Sequence, residues 1–255
     1  MRSGNLPGPL PLIGDLVAAL AAAGVFRLRG VLVGTVAYQT YAAMLGVRLP
    51  AAMMQTEDVD VAQSAAVSAA IGDAARPMAD VLREVDASFG PVPHIDPQRA
   101  VSFRAASGLR VDFLTPNRGR ETEHRQKSPA LGTDAQPLRF LDFPILDHEP
   151  AVLLHGAGVL VSVPAPQRYA LHKLIVARRR REGDAKREKD FFQAQALLDA
   201  LIRRRPHELR AAWAEAFGRG KNCRRSLGEG LGLLHPVIAC CGRSGRRGRP
   251  FPASI

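Results

Sequence analysis

Apolar positions form short β-branched runs in the first two thirds of the chain and longer helical stripes after it. Val31-Leu32-Val33 suits a buried strand, and Gly34-Thr35 ends it. Ala37–Leu45 holds helix formers with no Gly or Pro, and Val59–Ala62 reads as the next strand. Val101–Arg104 and Leu109–Leu114 read as a hairpin turned by Ser107-Gly108, with Thr115-Pro116 ending the second arm. Ala151–Leu154 and Val159–Val163 form another around Gly156-Ala157-Gly158. Helices are expected over Ile13–Ala23 and over Ala74–Val85, the latter capped by Asp73 with Met78, Val81, Leu82 and Val85 on one face. Phe89–Pro97, which contains His94, reads as a Pro-rich connection, and Asn117–Pro137 as a polar loop.

Pro164-Ala165-Pro166 marks a change of character. Helices follow over Gln167–Arg181, Asp184–Ile202 and His207–Phe217, the last opened by Pro206. After Gly220 the chain turns to Gly, Arg, Pro and Ser, which reads as a low-complexity tail with one short helix within Leu227–Ile238. The divisions expected are a helical lead-in over 1–30 with a shortened start, a sheet domain over 31–164, a helical domain over 165–220 and a tail over 221–255.

At 255 residues the chain can bury a sizeable core. Its net charge of +11 is uneven: residues 1–150 sum to −2 and residues 151–255 to +13. A strongly basic segment beside a mildly acidic one suits a polyanionic ligand. Cys223, Cys240 and Cys241 give neither a disulfide framework nor zinc spacing, so a reducing cytoplasm is expected. The apolar stretch Leu10–Phe26 is broken by Pro11, Gly14, Asp15 and Gly24 and is too short to span a membrane.

Asp58 and Asp60 lie two apart at the start of a strand, so they share a face. Paired carboxylates repel unless a cation lies between them, and hard oxygen donors suit Mg²⁺. Asp112 sits in the middle of a strand, where Asp is depleted. Val111 and Phe113 are expected on the core side, with Arg110, Asp112 and Leu114 opposite.

Gly34-Thr35, then Asp58-Val59-Asp60, then Asp112 on a later strand resembles the polymerase-β-type nucleotidyltransferase superfamily. The likeness is closer to a bacterial branch with the runs G-T-x-A-Y-x-x-Y and T-x-D-V-D, carried here by Gly34, Thr35, Ala37, Tyr38, Tyr41, Thr56, Asp58, Val59 and Asp60. Thr35 stands where Gly or Ser is usual, and Gly46–Glu57 lengthens the interval to Asp58. The resemblance implies an α+β fold: a mixed sheet flanked by helices, followed by a helical domain. It implies two Mg²⁺ ions, or Mn²⁺, on Asp58, Asp60 and Asp112, and an NTP, such as ATP, whose phosphates meet Gly34 and Thr35. It places Lys173 on the phosphates, with Lys189 and Asp190 as a further contact or a bracing pair. The activity implied is transfer of NMP to RNA, protein or a small molecule. The alternatives are an inactive member that binds RNA or a partner, and a general basic nucleic-acid binder. The first would keep the fold without turnover, and the second would bind with steep salt dependence and no need of Mg²⁺.

Overall fold

The computed structural model describes residues 6–50, 53–93, 100–117 and 126–234. His94, Glu123, His124, Arg125, Cys240 and Cys241 lie outside the described residues. The chain divides into two compact units, Met1–Met44 with Met54–Pro164, and Leu45–Met53 with Ala165–Ile255.

The first unit is built on a mixed sheet. Helix α1 (Pro11–Ala22) buries Ile13, Leu16, Val17 and Leu20 along one stripe. Strand β1 (Val31–Val33) runs directly into helix α2 (Gly34–Leu45), so the expected turn at Gly34-Thr35 is itself the first turn of the helix. Strand β2 (Asp58–Ala62) pairs antiparallel with β1. The short helix α3 (Ala65–Ala70) and helix α4 (Met78–Val85) follow.

Helix α4 starts four residues later than expected. Asp73 accepts a hydrogen bond from the Ala74 amide at 2.7 Å, yet its carboxylate also pairs with Arg27 and caps no helix. Pro77 disfavours helical geometry at Arg76, and it serves as the N-cap that opens α4.

Strands β3 (Gly90–Pro91), β4 (Ser102–Arg104) and β5 (Arg110–Asn117) complete the order β1-β2-β5-β4-β3. β5 pairs parallel with β2 and antiparallel with β4, so it is an inner strand. It also runs three residues past the stop expected at Leu114. The Leu114 carbonyl accepts from Gln63 N, which directs backbone groups of its parity towards β2. Pro116 therefore points its missing N–H where β2 has already ended, and a proline is tolerated there.

The polar stretch expected as a loop contains β6 (Gln126–Ser128), a 3₁₀ turn (Pro129–Leu131) and β7 (Thr133–Arg139). β7 pairs parallel with the second half of β5. On β6, Ser128 is buried with partners: its Oγ donates to Gln63 Oε1 at 2.6 Å and lies 3.2 Å from Ser68 Oγ. Gly132 closes the 3₁₀ turn at φ 61°, and an added Cβ would lie 2.7 Å from the Arg76 carbonyl oxygen. Gly132→Ala should lower stability by about 2 kcal/mol through backbone strain and that clash, read as a lower urea midpoint at unchanged slope.

Helix α5 (Asp142–Leu146) and the hairpin of β8 (His148–Leu153) and β9 (Val159–Pro164) finish this unit. Val31, Val33, Ala62, Leu141 and Ile145 pack together with Leu114.

The second unit is helical: α6 (Pro166–Arg179), α7 (Ala185–Arg204), α8 (Pro206–Gly218) and α9 (Lys221–Gly232). Asp184 caps α7 by accepting from Lys186 N at 2.8 Å. The run after Gly220, expected as a tail, opens with α9, a full helix. Its buried residues are Cys223, Leu227 and Gly230, a helical stripe hidden among Gly and Arg. A Cβ on Gly230 would lie 3.1 Å from Leu174 Cβ, so the glycine lets α9 approach α6 closely. Met53, from the stretch expected as an insertion, accepts a hydrogen bond from Gln193 Nε2 on α7 at 2.8 Å. Among the described residues no helix is long and apolar enough to cross a membrane.

Candidate functional site

Three aspartates meet on one face of the first unit's sheet. Along β2, Asp58 and Asp60 are partly exposed while Val59 and Val61 are buried. Along β5 the alternation places Arg110, Asp112 and Leu114 on the less buried side, with Val111 and Phe113 in the core. Parallel pairing sets Asp58 opposite Arg110 and Asp60 opposite Asp112. In-register partners point to the same face, so the three carboxylates form one row. Like charges directly opposite one another are destabilising, so this row carries a cost that a cation would relieve.

Gly34 stands where β1 meets α2, and Val33 pairs with Asp60. Its φ is 67°, and a Cβ built on it would lie 2.1 Å from Asp60 Oδ2. The absent side chain makes room for the Asp60 carboxylate against the first turn of α2. Thr35 follows, 8% exposed. Thr56 fixes the backbone just ahead of the row: its hydroxyl accepts from Asp58 N at 3.1 Å and reaches the Asp58 carbonyl at 3.3 Å. Ala37, Tyr38, Tyr41 and Val59 are fully buried. Tyr41 donates to the Pro164 carbonyl at 2.9 Å, and burial pushes both phenols up from the ordinary tyrosine value. Most of the recognisable sequence run is thus packing that holds Gly34, Asp58 and Asp60 in place.

Asp112 has two further partners. Arg110 Nε donates to its Oδ1 at 2.8 Å, and Ser102 on β4 donates its hydroxyl to the same oxygen. Arg110 Nη2 also reaches Ser102 Oγ at 3.2 Å. Sequence reading places Arg110 on the face of Asp112 but gives it no role, and it misses Ser102. Ser102 was findable: a hairpin turned at Ser107-Gly108 pairs Ser102 with Asp112. Among the described residues no three His, Cys, Asp or Glu side chains are gathered closely enough to hold a metal ion as they stand.

Lys173 and Asp190 belong to the helical unit. Lys173 Nζ donates to Asp190 Oδ1 at 2.5 Å, and Arg180 Nε donates to Oδ2 at 2.9 Å. Asp190 is 3% exposed, and the Lys173 ammonium lies 5.3 Å from the Tyr169 ring centroid. Asp190 therefore braces Lys173 between α6 and α7, while the neighbouring Lys189 is half-buried. Asp190→Ala would strand the largely buried Lys173 ammonium and take a partner from the more exposed Arg180. We expect a loss of about 3 kcal/mol in chemical denaturation, with Asp190→Asn costing less.

The nucleotidyltransferase family model matches residues 12–218. The chain belongs to the nucleotidyltransferase family. The match spans both compact units, including every site residue named above. Among solved structures, the chain is similar to an antigenic nucleotidyltransferase-like protein from Paracoccidioides brasiliensis. That likeness has 12% identity and a TM-score of 0.39, and it covers 87% of this chain and 95% of that one. No curated protein matches. In this family member the sheet and helices form the α+β architecture expected from sequence.

Proposed function

We propose that this nucleotidyltransferase-family protein is a divalent-metal-dependent enzyme that moves NMP from an NTP to an acceptor hydroxyl, breaking the α–β phosphoanhydride bond and releasing pyrophosphate. The observation that carries the proposal is the register of Asp60 with Asp112, two residues along from Asp58 and beside Gly34. The donor set fits a hard divalent cation: carboxylate oxygens on one face, with the Asp60 carboxylate lodged in the space a Cβ at residue 34 would fill. Asp58 and Asp60 would hold Mg²⁺ or Mn²⁺, and Asp112 would join them once released by Arg110. A bound metal supplies charge neutralisation on the transferring phosphoryl oxygens.

The chain's own residues supply position, which is most of what nucleotidyl transfer asks of a protein. The amides at the start of α2 and the Thr35 hydroxyl bind phosphate oxygens, an arrangement favoured by the helix dipole at a helix start. Asp112 orients the acceptor hydroxyl. The core packing of Tyr38 and Tyr41 keeps α2 seated, so the phosphate-binding turn does not drift from the aspartate row.

The test is incubation of the purified protein with each α-labelled NTP, Mg²⁺, and either total RNA or a small-molecule and protein extract. Metal-dependent transfer of label, absent from Asp58→Ala, supports the reading. Label transfer that survives Asp58→Ala at wild-type rate contradicts it.

A further inference from the structure

We propose that Arg110 is an internal counter-cation that competes with a divalent metal for Asp112. The inference rests on the functional reading above and concerns how Asp112 is held.

Three features converge on Arg110. It is two residues from Asp112 on the same strand and face, and its register partner on β2 is Asp58. Its guanidinium contacts Asp112 Oδ1 and the Ser102 hydroxyl, which contacts the same oxygen, so the three groups close a ring. Asp112 directly faces Asp60, a like charge, so a cation at this point lowers the energy of the folded, ligand-free row.

A guanidinium cannot shed its proton in a protein, so it cannot relieve its repulsion for a metal by becoming neutral. It has to move. The Arg110 side chain is 34% exposed and that of Asp112 20%, which leaves the arginine room to swing outward while the aspartate stays on its inner strand. An arriving polyanion gives the guanidinium a new partner and frees Asp112. Arg110 is thus a positioning residue whose rearrangement couples ligand arrival to completion of the metal site.

Mn²⁺ titration of the full-length chain without nucleotide, by calorimetry and by electron paramagnetic resonance, tests this. Arg110→Gln should bind Mn²⁺ about tenfold more tightly than wild type, the equivalent of roughly 1.4 kcal/mol. Arg110→Lys keeps the charge but cannot fork between Asp112 and Ser102, and should shift affinity the same way by a smaller factor. Asp112→Asn combined with Arg110→Gln should cancel the gain. Unchanged or weaker Mn²⁺ affinity in folded Arg110→Gln and Arg110→Lys overturns the proposal, as does a gain that persists without the Asp112 carboxylate. A paired Asp58→Ala/Asp60→Asn variant separates the two readings. If it binds Mn²⁺ like wild type, the functional assignment of the row fails. If it loses binding while the Arg110 variants are silent, only the role of Arg110 fails.

Discussion

Asp58→Ala should lower the rate of NMP transfer by at least about a thousandfold, some 4 kcal/mol of transition-state stabilisation. The loss should appear without loss of fold. Asp58 is partly exposed, its neighbours Val59 and Val61 carry the packing, and Thr56 holds the local backbone through its bonds to the Asp58 amide and carbonyl. Asp58 lies opposite Arg110, an opposite charge, so its removal costs at most a partly exposed cross-strand pair of under about 1 kcal/mol. Thermal unfolding of Asp58→Ala should therefore stay close to the wild-type temperature while activity disappears. Parallel falls in activity and melting temperature would mean that Asp58 serves the fold rather than the reaction.

Gly34→Ala should damage both. Two costs add at this position. The first is conformational: φ is 67°, a region in which a residue with a Cβ is strained by about 1 kcal/mol or more. The second is steric: the new methyl would fall 2.1 Å from Asp60 Oδ2 and 3.1 Å from its Cγ. Asp60 is short and anchored mid-strand, so it can yield only by turning its carboxylate out of the row. We expect a stability loss of about 1–3 kcal/mol and a transfer rate as low as that of Asp58→Ala. Gly46→Ala provides the control, since Gly46 has φ 63° and nothing within 4 Å of a built Cβ. Its cost should be conformational alone, with activity retained. Equal activity in the two glycine variants would remove Gly34 from the site.

Much of the site region was legible because its information is local. The alternation Arg110-Val111-Asp112-Phe113-Leu114 has period two, and a half-buried strand obeys it whatever it packs against. The same holds for Asp58-Val59-Asp60 and for the hairpin that pairs β4 with β5. Helices α6 to α8 were legible from their composition and from the prolines that open α6 and α8. The misreadings share a cause. β6 and β7 carry too few apolar residues to announce themselves; β7 is held by pairing with β5 and β6, and Ser128 of β6 by its bonds to Gln63 and Ser68 in the interior. α9 looked like low-complexity tail because Gly230, a helix weakener in isolation, is what allows contact with Leu174.

The sequence by itself determined the alternation of faces, the two hairpins, helices α1, α2 and α6 to α8, and the presence of three carboxylates on strands, because those depend on neighbours two to four residues away. Only the tertiary structure decided that Asp60 lies opposite Asp112, that Gly34 yields its side-chain space to Asp60, and that Asp112 is held by Arg110 and Ser102. Register between strands distant in the chain is set by the sum of many side-chain and backbone contacts. No single stretch of residues encodes it.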